Sequence, residues 1–187
     1  MYGKLKVCTC SEVWSAVVLI PTFFVGRYAQ TRPPVLTSPR AKSGFGGVMW
    51  LFLAGQIGWL LTLVWQTACM TSELWFMLAR NSQTMQAAFV AVVPGLVSII
   101  IGVWVIWQIA AKRSPNAVAF AVVGVWLMGP CVAMLQSWYF GLALTELSLI
   151  QLFGWSIGWS LYFALSPRVA LTYGTPRGKR IAEGLEM

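Results

Sequence analysis

Three glutamines, Gln56, Gln136 and Gln151, lie in long stretches of this chain that carry no charged residue and that also contain Gln108, which can bond to them between helices. A carboxamide donates and accepts hydrogen bonds without being charged. Inside a membrane such side chains usually face other helices or water rather than lipid. The three glutamines therefore predict a polar patch within the membrane, where they either bond to one another between helices or handle a solute.

Groups that transfer protons or bind metals are missing from the same stretches. The sequence has no His and no Asp, and its five acidic residues lie outside them: Glu12, Glu73, Glu146, Glu183 and Glu186. No imidazole is present to ligate a metal or to act as a general base. We therefore predict no catalytic residue, no metal site and no cofactor, and we expect that the protein is not an enzyme.

The four cysteines do not change this prediction. Cys8 and Cys10 form a C-x-C pair, without the second pair that a cysteine-rich metal site needs. Cys69 and Cys131 are predicted at different depths of the membrane. We interpret all four as structural or incidental thiols.

The elements that position the glutamines are four charge-free stretches, each long enough to cross a bilayer, which takes about 20 helical residues. We place the spans at 45–65, 87–110, 117–140 and 147–165. The stretches do not alternate apolar and polar residues as barrel strands would, so they are helices, whose backbone groups bond internally. The predicted fold is an all-α integral membrane protein with a four-helix transmembrane bundle at 44–166.

Basic residues give this bundle an orientation. With four spans, all thirteen Lys and Arg residues except Arg80 fall on one side of the membrane, and that side is predicted to be the cytoplasm because basic loops resist translocation. Both termini are then cytoplasmic. A net charge of +8 would suggest nucleic acid in a soluble protein; here we expect contact with anionic lipid headgroups and no nucleic acid.

The N-terminal segment, 1–43, contains a short apolar stretch at 13–25 that includes Pro21. This stretch is short for a span, so we predict an additional interfacial or re-entrant helix. The alternative is a fifth span, which would place Lys4 and Lys6 outside. A Pro-containing linker follows, and 167–187 forms a basic cytoplasmic tail.

Two prolines, Pro94 and Pro130, fall in the outer halves of the middle spans, where each removes a backbone hydrogen bond. With Gln136, Gln151 and Cys131 they could frame a shallow outward-facing cavity. The alternative is that they are ordinary kinks in a filled bundle. Between the first two spans, residues 74–78 predict a separate short helix on the outer surface.

Deep tryptophans and small residues predict contacts between helices. The indole N–H groups of Trp59, Trp126, Trp155 and Trp159 need partners inside the bundle, and the candidates are Gln56, Gln151, Ser156 and Ser160. Gly154 and Gly158 are four residues apart and permit close helix packing. They serve either this bundle or a dimer.

The basic side is predicted to contact lipid headgroups or a partner through Lys112, Arg113, Arg168, Arg177, Lys179 and Arg180. Arg168 directly follows the last span. Its guanidinium can bind a lipid phosphate or the C-terminal carbonyls of that helix.

Three segments resemble a bacterial family known as domain of unknown function 2569. They are the opening Gly46-Gly47-Val48-Met49-Trp50-Leu51, the basic loop Lys112-Arg113-Ser114-Pro115, and the close with Tyr162-Phe163, Ser166-Pro167-Arg168-Val169 and Thr172-Tyr173. The resemblance covers roughly 44–174. It implies four helices and the bacterial inner membrane, and it brings no known activity.

The sequence thus predicts a polytopic membrane protein that is most simply a non-catalytic accessory or interaction subunit, with a membrane-protein partner or a second copy of itself. The alternative is a small transporter or channel-like protein for a neutral or anionic solute, which would use glutamines and kinked helices.

Overall fold

The structure, a computed structural model, describes residues 11–39, 41–78, 85–141 and 143–184. These ranges are helical apart from short connections and one isolated bridge between Ser38 and Ala41. Four of their segments are long and apolar enough to cross a membrane: Val48–Ser72, Val92–Ala111, Pro115–Phe140 and Glu146–Leu165. The protein is therefore an all-α multi-pass membrane protein with four spans, as predicted.

The first span belongs to a helix that is longer than expected. Helix α2 runs without a break over Val48–Leu78, so the separate outer helix predicted at 74–78 does not exist. The reason lies in the sequence, because neither Gly nor Pro occurs between Trp65 and Leu78 to end the helix. Helix α3 covers Met85–Ala111 and contains Pro94.

The third span is interrupted where Pro130 was expected to disturb it. Helix α4, Pro115–Trp126, passes into a π-helical turn, Leu127–Cys131, and continues as α5, Val132–Phe140. Proline lacks an N–H and its ring collides with the preceding turn of an α-helix, and a π turn accommodates both. The last span is α6, Glu146–Leu165.

The N-terminal helix is additional to the four spans. Helix α1 covers Ser11–Thr31, which is longer than the predicted 13–25. It runs antiparallel to the first half of α2, because the Trp50 indole fills the space beside Gly26 while Val18 lies against Gly58. A side chain at position 26 would overlap that indole, so this close approach needs glycine.

The helices surround a core that contains fully buried side chains of α2 and α3. Met49, Phe52, Leu53, Val105 and Ile109 are at most 1 % exposed. Helix α3 packs on α2 and α4, and α6 packs on α4 and the π turn. Between α2 and α6 the bundle is open on one side, and this opening contains the candidate site.

Residues 167–184 close one end of the bundle. Helix α7, Pro167–Tyr173, is buried over residues 169–173, and α8, Pro176–Ala182, packs against it. The two helices touch so closely that an ideal Cβ at Gly178 would lie 2.1 Å from the Ala170 carbonyl oxygen. What the sequence presented as a basic tail is thus a folded cap.

The linker between α1 and α2 is held to this cap. The backbone N–H groups of Val35 and Leu36 donate to the carbonyls of Thr172 and Leu171, at 3.2 and 3.0 Å. The Gly44 N–H donates to the Thr172 hydroxyl at 2.9 Å. We call this end of the bundle the basic end, because the cap, the linker and the connection between α3 and α4 carry its Lys and Arg residues.

Candidate functional site

A cavity of about 600 Å³ lies between α2, the π turn and α6. Its inner wall is formed by the buried residues Gln56, Val125, Met128 and Ser156. Its rim is formed by Trp59, Thr62, Gln151 and Trp155, which are exposed within their helices. Leu144 and Ser148 line it at the end away from the basic end.

The cavity exists because α2 and α6 touch only toward the basic end. There the Phe52 ring meets Trp159 and Phe163 edge-on, with centroids 4.9 and 4.8 Å apart. One turn farther along, the Trp155 indole covers Gly55 so closely that an ideal Cβ at position 55 would lie 2.6 Å from it. Beyond this contact the cavity lies between the two helices.

The third wall is set by the π turn. Met128 and Gly129 of this turn line the cavity, and an ideal Cβ at Gly129 would lie 3.6 Å from the Ser156 hydroxyl oxygen. Just before the turn, the Trp126 indole N–H donates to the Ser160 hydroxyl at 3.0 Å, one of the pairings expected for the deep tryptophans. This bond fixes α4 against α6 and leaves the space above it open.

Gln56 is the polar residue that distinguishes the inner wall. It is 3 % exposed, and no residue in the described ranges hydrogen-bonds to its carboxamide. By contrast, the hydroxyls of Thr62 and Ser156 donate to carbonyls of their own helices, at 2.9 and 3.0 Å. In the described residues, the fully buried side-chain N and O atoms without a partner are Ser98 Oγ and Arg113 Nε. The Gln56 carboxamide is therefore accessible from the cavity, and it offers a donor and an acceptor to whatever enters.

The rim and walls are otherwise apolar or uncharged. Among the described residues that line the cavity, none carries a charged side chain, an imidazole or a thiol. Trp59 and Trp155 present broad aromatic surfaces and are 43 % and 44 % exposed. The arrangement suits an uncharged molecule with a hydrogen-bonding group and an apolar body.

The predicted polar patch is only partly assembled. Gln56 and Gln151 line the same cavity, whereas Gln136 lies outside its lining. Cys131, which is exposed, and Pro94 are not part of it either, so the frame differs from the one expected. Pro130 contributes indirectly, since it belongs to the π turn that supplies Met128 and Gly129.

The glycine pair of α6 does not pack within the bundle. Gly154 and Gly158 are exposed, and no atom of another element lies within 4 Å of an ideal Cβ at either position. Helix α6 instead packs through the opposite face, where Ser156 and Phe163 are buried. The prediction that the pair packs within this bundle is therefore wrong, whereas its contact with a second chain stays a prediction.

Two of the six basic residues expected at lipid headgroups, Arg113 and Arg177, donate hydrogen bonds to other parts of the protein instead. Arg113 donates from Nη1 to the Tyr173 hydroxyl at 3.1 Å and to the Ile109 carbonyl at 3.3 Å, and from Nη2 to the Ala29 carbonyl. Its guanidinium also lies over the Phe45 ring. These contacts tie α1, α3 and the cap together, so Arg113 is a structural residue.

Arg177 rather than Arg168 binds the end of the last span. Its Nη1 donates to the carbonyls of Ala164 and Leu165, at 3.0 and 2.5 Å, and so satisfies groups that a helix end leaves free. The Arg168 guanidinium instead lies beside Gly46 and Gly47, where a side chain at position 47 would collide with it. The segments 46–51 and 166–169, which both resemble parts of the family of domain of unknown function 2569, are therefore in contact.

Three of the six basic residues expected at lipid headgroups lie on the surface of the basic end. Lys112, Lys179 and Arg180 are exposed, and the Lys112 ammonium lies 5.8 Å from the centroid of the Trp104 ring. A lysine beside a tryptophan at a span end is the usual arrangement at a membrane interface. These three residues contribute to the charged surface of this end together with half-buried Arg168 and with the exposed basic residues of α1 and the linker, Arg27, Arg32 and Lys42.

Among the described residues, Tyr173 is a titratable group whose pKa is altered by its surroundings. Burial raises the pKa of its hydroxyl, against the opposing effect of the Arg113 charge. The hydroxyl donates to the Ile109 carbonyl at 2.7 Å.

In the described part of the chain no group of His, Cys, Asp or Glu residues is placed to hold a metal ion.

Several lining residues escaped the sequence analysis, which selected for polarity. Met128, Gly129 and Leu144 are ordinary in an apolar helix or a short connection. Gly55 matters because Trp155 covers it, a relationship between two helices that no pattern along the chain indicates. Pro130 was the available signal, because a proline within a span disturbs the helix around it.

No family model, curated protein or solved structure matches this chain. The resemblance to the family of domain of unknown function 2569 accordingly stays a proposal.

Proposed function

We propose that this protein is a non-catalytic membrane protein that binds an uncharged molecule in the cavity between α2 and α6. The observation that carries the proposal is the placement of Gln56, a buried carboxamide without a described partner, on the wall of a cavity of about 600 Å³. This is the neutral-solute alternative among the functions that the sequence suggested.

Charge narrows the choice of molecule. An anionic solute would find no balancing cation among the described residues that line the cavity. Unpaired charge is strongly disfavoured in an apolar site. The lining also offers no general acid or base, which supports binding, carriage or presentation of the molecule rather than its chemical conversion.

The proposal is tested by native mass spectrometry of the protein extracted from its own membranes. We expect a bound uncharged species that is lost in Gln56→Leu, because leucine keeps the volume of the side chain and removes its hydrogen-bonding groups. Gln136→Leu is the matched control, since Gln136 lies outside the lining. Equal retention of the species by both variants would contradict a role for Gln56.

The second candidate function is that of an accessory or interaction subunit, with a membrane protein or a second copy as its partner. The observation in its favour is the bare face of α6, the span of which the smallest share, 11 %, is buried within the chain. Gly154→Leu would then dissociate a complex isolated from native membranes. Unchanged stoichiometry in that variant would argue against this interface.

The proposed setting is the bacterial inner membrane, with the basic end in the cytoplasm against anionic headgroups. Support comes from the exposed Lys112, Lys179 and Arg180 at that end and from the bias of basic loops toward the cytoplasm. In this proposal both termini are cytoplasmic. Reporter fusions after Ser114, Glu146 and Gly178 test the orientation, and an external signal at Ser114 would reverse it.

A further inference from the structure

We infer that the molecule held in the cavity is an uncharged lipid whose small polar head enters from the half of the membrane away from the basic end. The inference rests on the proposed function and names the class of its ligand. Three features of the site support it: where the mouth opens, which charges are missing, and where the unpartnered amide lies.

The mouth opens toward lipid. Trp59 of α2 and Trp155 of α6 both line the cavity and are close to half exposed, although both lie inside membrane-spanning segments. The surfaces they expose therefore face the bilayer. A molecule already dissolved in the membrane reaches the cavity sideways between these indoles, without first crossing water.

The absence of charge selects among lipids. The described residues of the lining carry neither Lys nor Arg, whereas the exposed basic residues stand at the opposite end of the bundle, at Lys112 and Lys179. A phosphate drawn into the cavity would lose its hydration without gaining a counter-charge. Phospholipid heads are therefore excluded, and uncharged heads remain.

The polar groups define the orientation of the bound lipid. Gln56 and Ser156 are buried on the inner wall, and the Gln56 carboxamide is without a hydrogen-bond partner in the described residues. A hydroxyl, ester or amide head placed there supplies that partner. The apolar chains then pass Trp59 and Trp155 and extend into the bilayer, so only the head and the first part of the chains need the cavity volume.

Dioctanoylglycerol is a probe with these properties, and dioctanoylphosphatidylglycerol is its matched control, because it has the same chains and a charged head. Thermal unfolding of the full-length protein in detergent is measured with increasing amounts of each. A ligand that binds only the folded state raises the melting temperature. We expect a rise with dioctanoylglycerol and none that depends on the cavity with the phospholipid.

Three variants locate the effect. We expect Gln56→Leu to weaken binding of dioctanoylglycerol about tenfold, the value of one hydrogen bond, and Gln136→Leu to leave it unchanged. Gly129→Leu, which places a side chain in the lining, is the second variant in case Gln56→Leu does not fold. It also abolishes the rise in melting temperature.

The outcomes separate this inference from the proposed function. Xylitol, an uncharged molecule dissolved in water, is titrated in parallel. Stabilisation by xylitol that depends on Gln56, with none by dioctanoylglycerol, overturns the lipid inference and leaves the proposed function in place. Equal stabilisation by the phospholipid overturns the charge argument and hence the inference. If neither uncharged probe acts through Gln56 or Gly129, both the inference and the proposed function fail.

Discussion

The guanidinium of Arg113 donates a hydrogen bond to the hydroxyl of Tyr173 at 3.1 Å and lies over the same aromatic ring. Tyr173 in turn donates to the Ile109 carbonyl, one turn before Arg113 on the chain. The cap at the basic end is thereby joined to the end of α3. Because this contact involves a buried phenol, its stability depends on pH.

We predict that the melting temperature falls at high pH because of Tyr173. Burial raises the pKa of its hydroxyl, while the unfolded chain titrates near the ordinary tyrosine value of about 10. Below that pH both states hold the proton. Above it only the unfolded state loses the proton, so the free energy of unfolding decreases by up to about 1.4 kcal/mol per pH unit.

Tyr173→Phe is expected to have a lower melting temperature near neutral pH and a flatter dependence between pH 9 and 11, because the titrating group is gone. Tyr139→Phe serves as the control, since Tyr139 is 44 % exposed. A decline of equal steepness in Tyr173→Phe would show that other groups cause it.

Arg113 and Lys112 are adjacent basic residues with opposite roles. Arg113→Ala leaves the Ala29 carbonyl and the Tyr173 ring without their charged partner, and we expect a loss of about 2–3 kcal/mol in the free energy of unfolding. Lys112→Ala removes an exposed contact with Trp104 and should cost below about 1 kcal/mol. Unfolding in a denaturing detergent measures both; similar losses would contradict the inward role of Arg113.

The close contact between α7 and α8 predicts that Gly178→Ala disrupts the cap. An added Cβ would overlap the backbone of Ala170 at 2.1 Å, and backbone cannot move aside as a side chain can. Gly154→Ala is the matched substitution in open space. We expect proteolysis to release the C-terminal segment in the first variant and not in the second. Resistance of both would mean that α8 does not pack as described.

Helices α1 and α2 are close enough to be linked by an engineered disulfide. After removal of the native cysteines, we expect oxidation to link Val18→Cys with Gly58→Cys, because an ideal Cβ at Gly58 lies 3.7 Å from the Val18 methyl carbons. Phe23→Cys with Gly58→Cys is the control pair, since Phe23 is 55 % exposed. If α1 lay flat across the bundle instead, oxidation would link neither cysteine pair in preference to the other. That result would contradict the antiparallel packing of α1 on α2.

The four spans could be predicted because lipid leaves the backbone no alternative to the helix. The ends of α6 and α3 fall within two residues of the expected 147–165 and 87–110. The end of α2 was misjudged, since apolarity locates the membrane and not the point at which a helix stops. Pro130 indicated a disturbance, although not that a π turn would absorb it.

The candidate site could be predicted in its residue types and not in its assembly. Gln56 and Gln151 stood out as polar residues in apolar stretches, but which helices are neighbours is not encoded in hydropathy. Gln136 is equally polar and lies elsewhere for that reason. The folded cap was missed because its charges suggested a tail, although Ser166-Pro167 and Gly174 are helix start and stop signals.

The central claim is that Gln56 binds an uncharged molecule in the cavity. The most direct test is an experimental density map of the protein purified from its own membranes without added lipid. The account predicts elongated density between Trp59 and Trp155, with an atom about 2.7–3.2 Å from the Gln56 carboxamide. A cavity filled by ordered water alone, or a Gln56 side chain bonded to Gln151 across a closed gap, would contradict it.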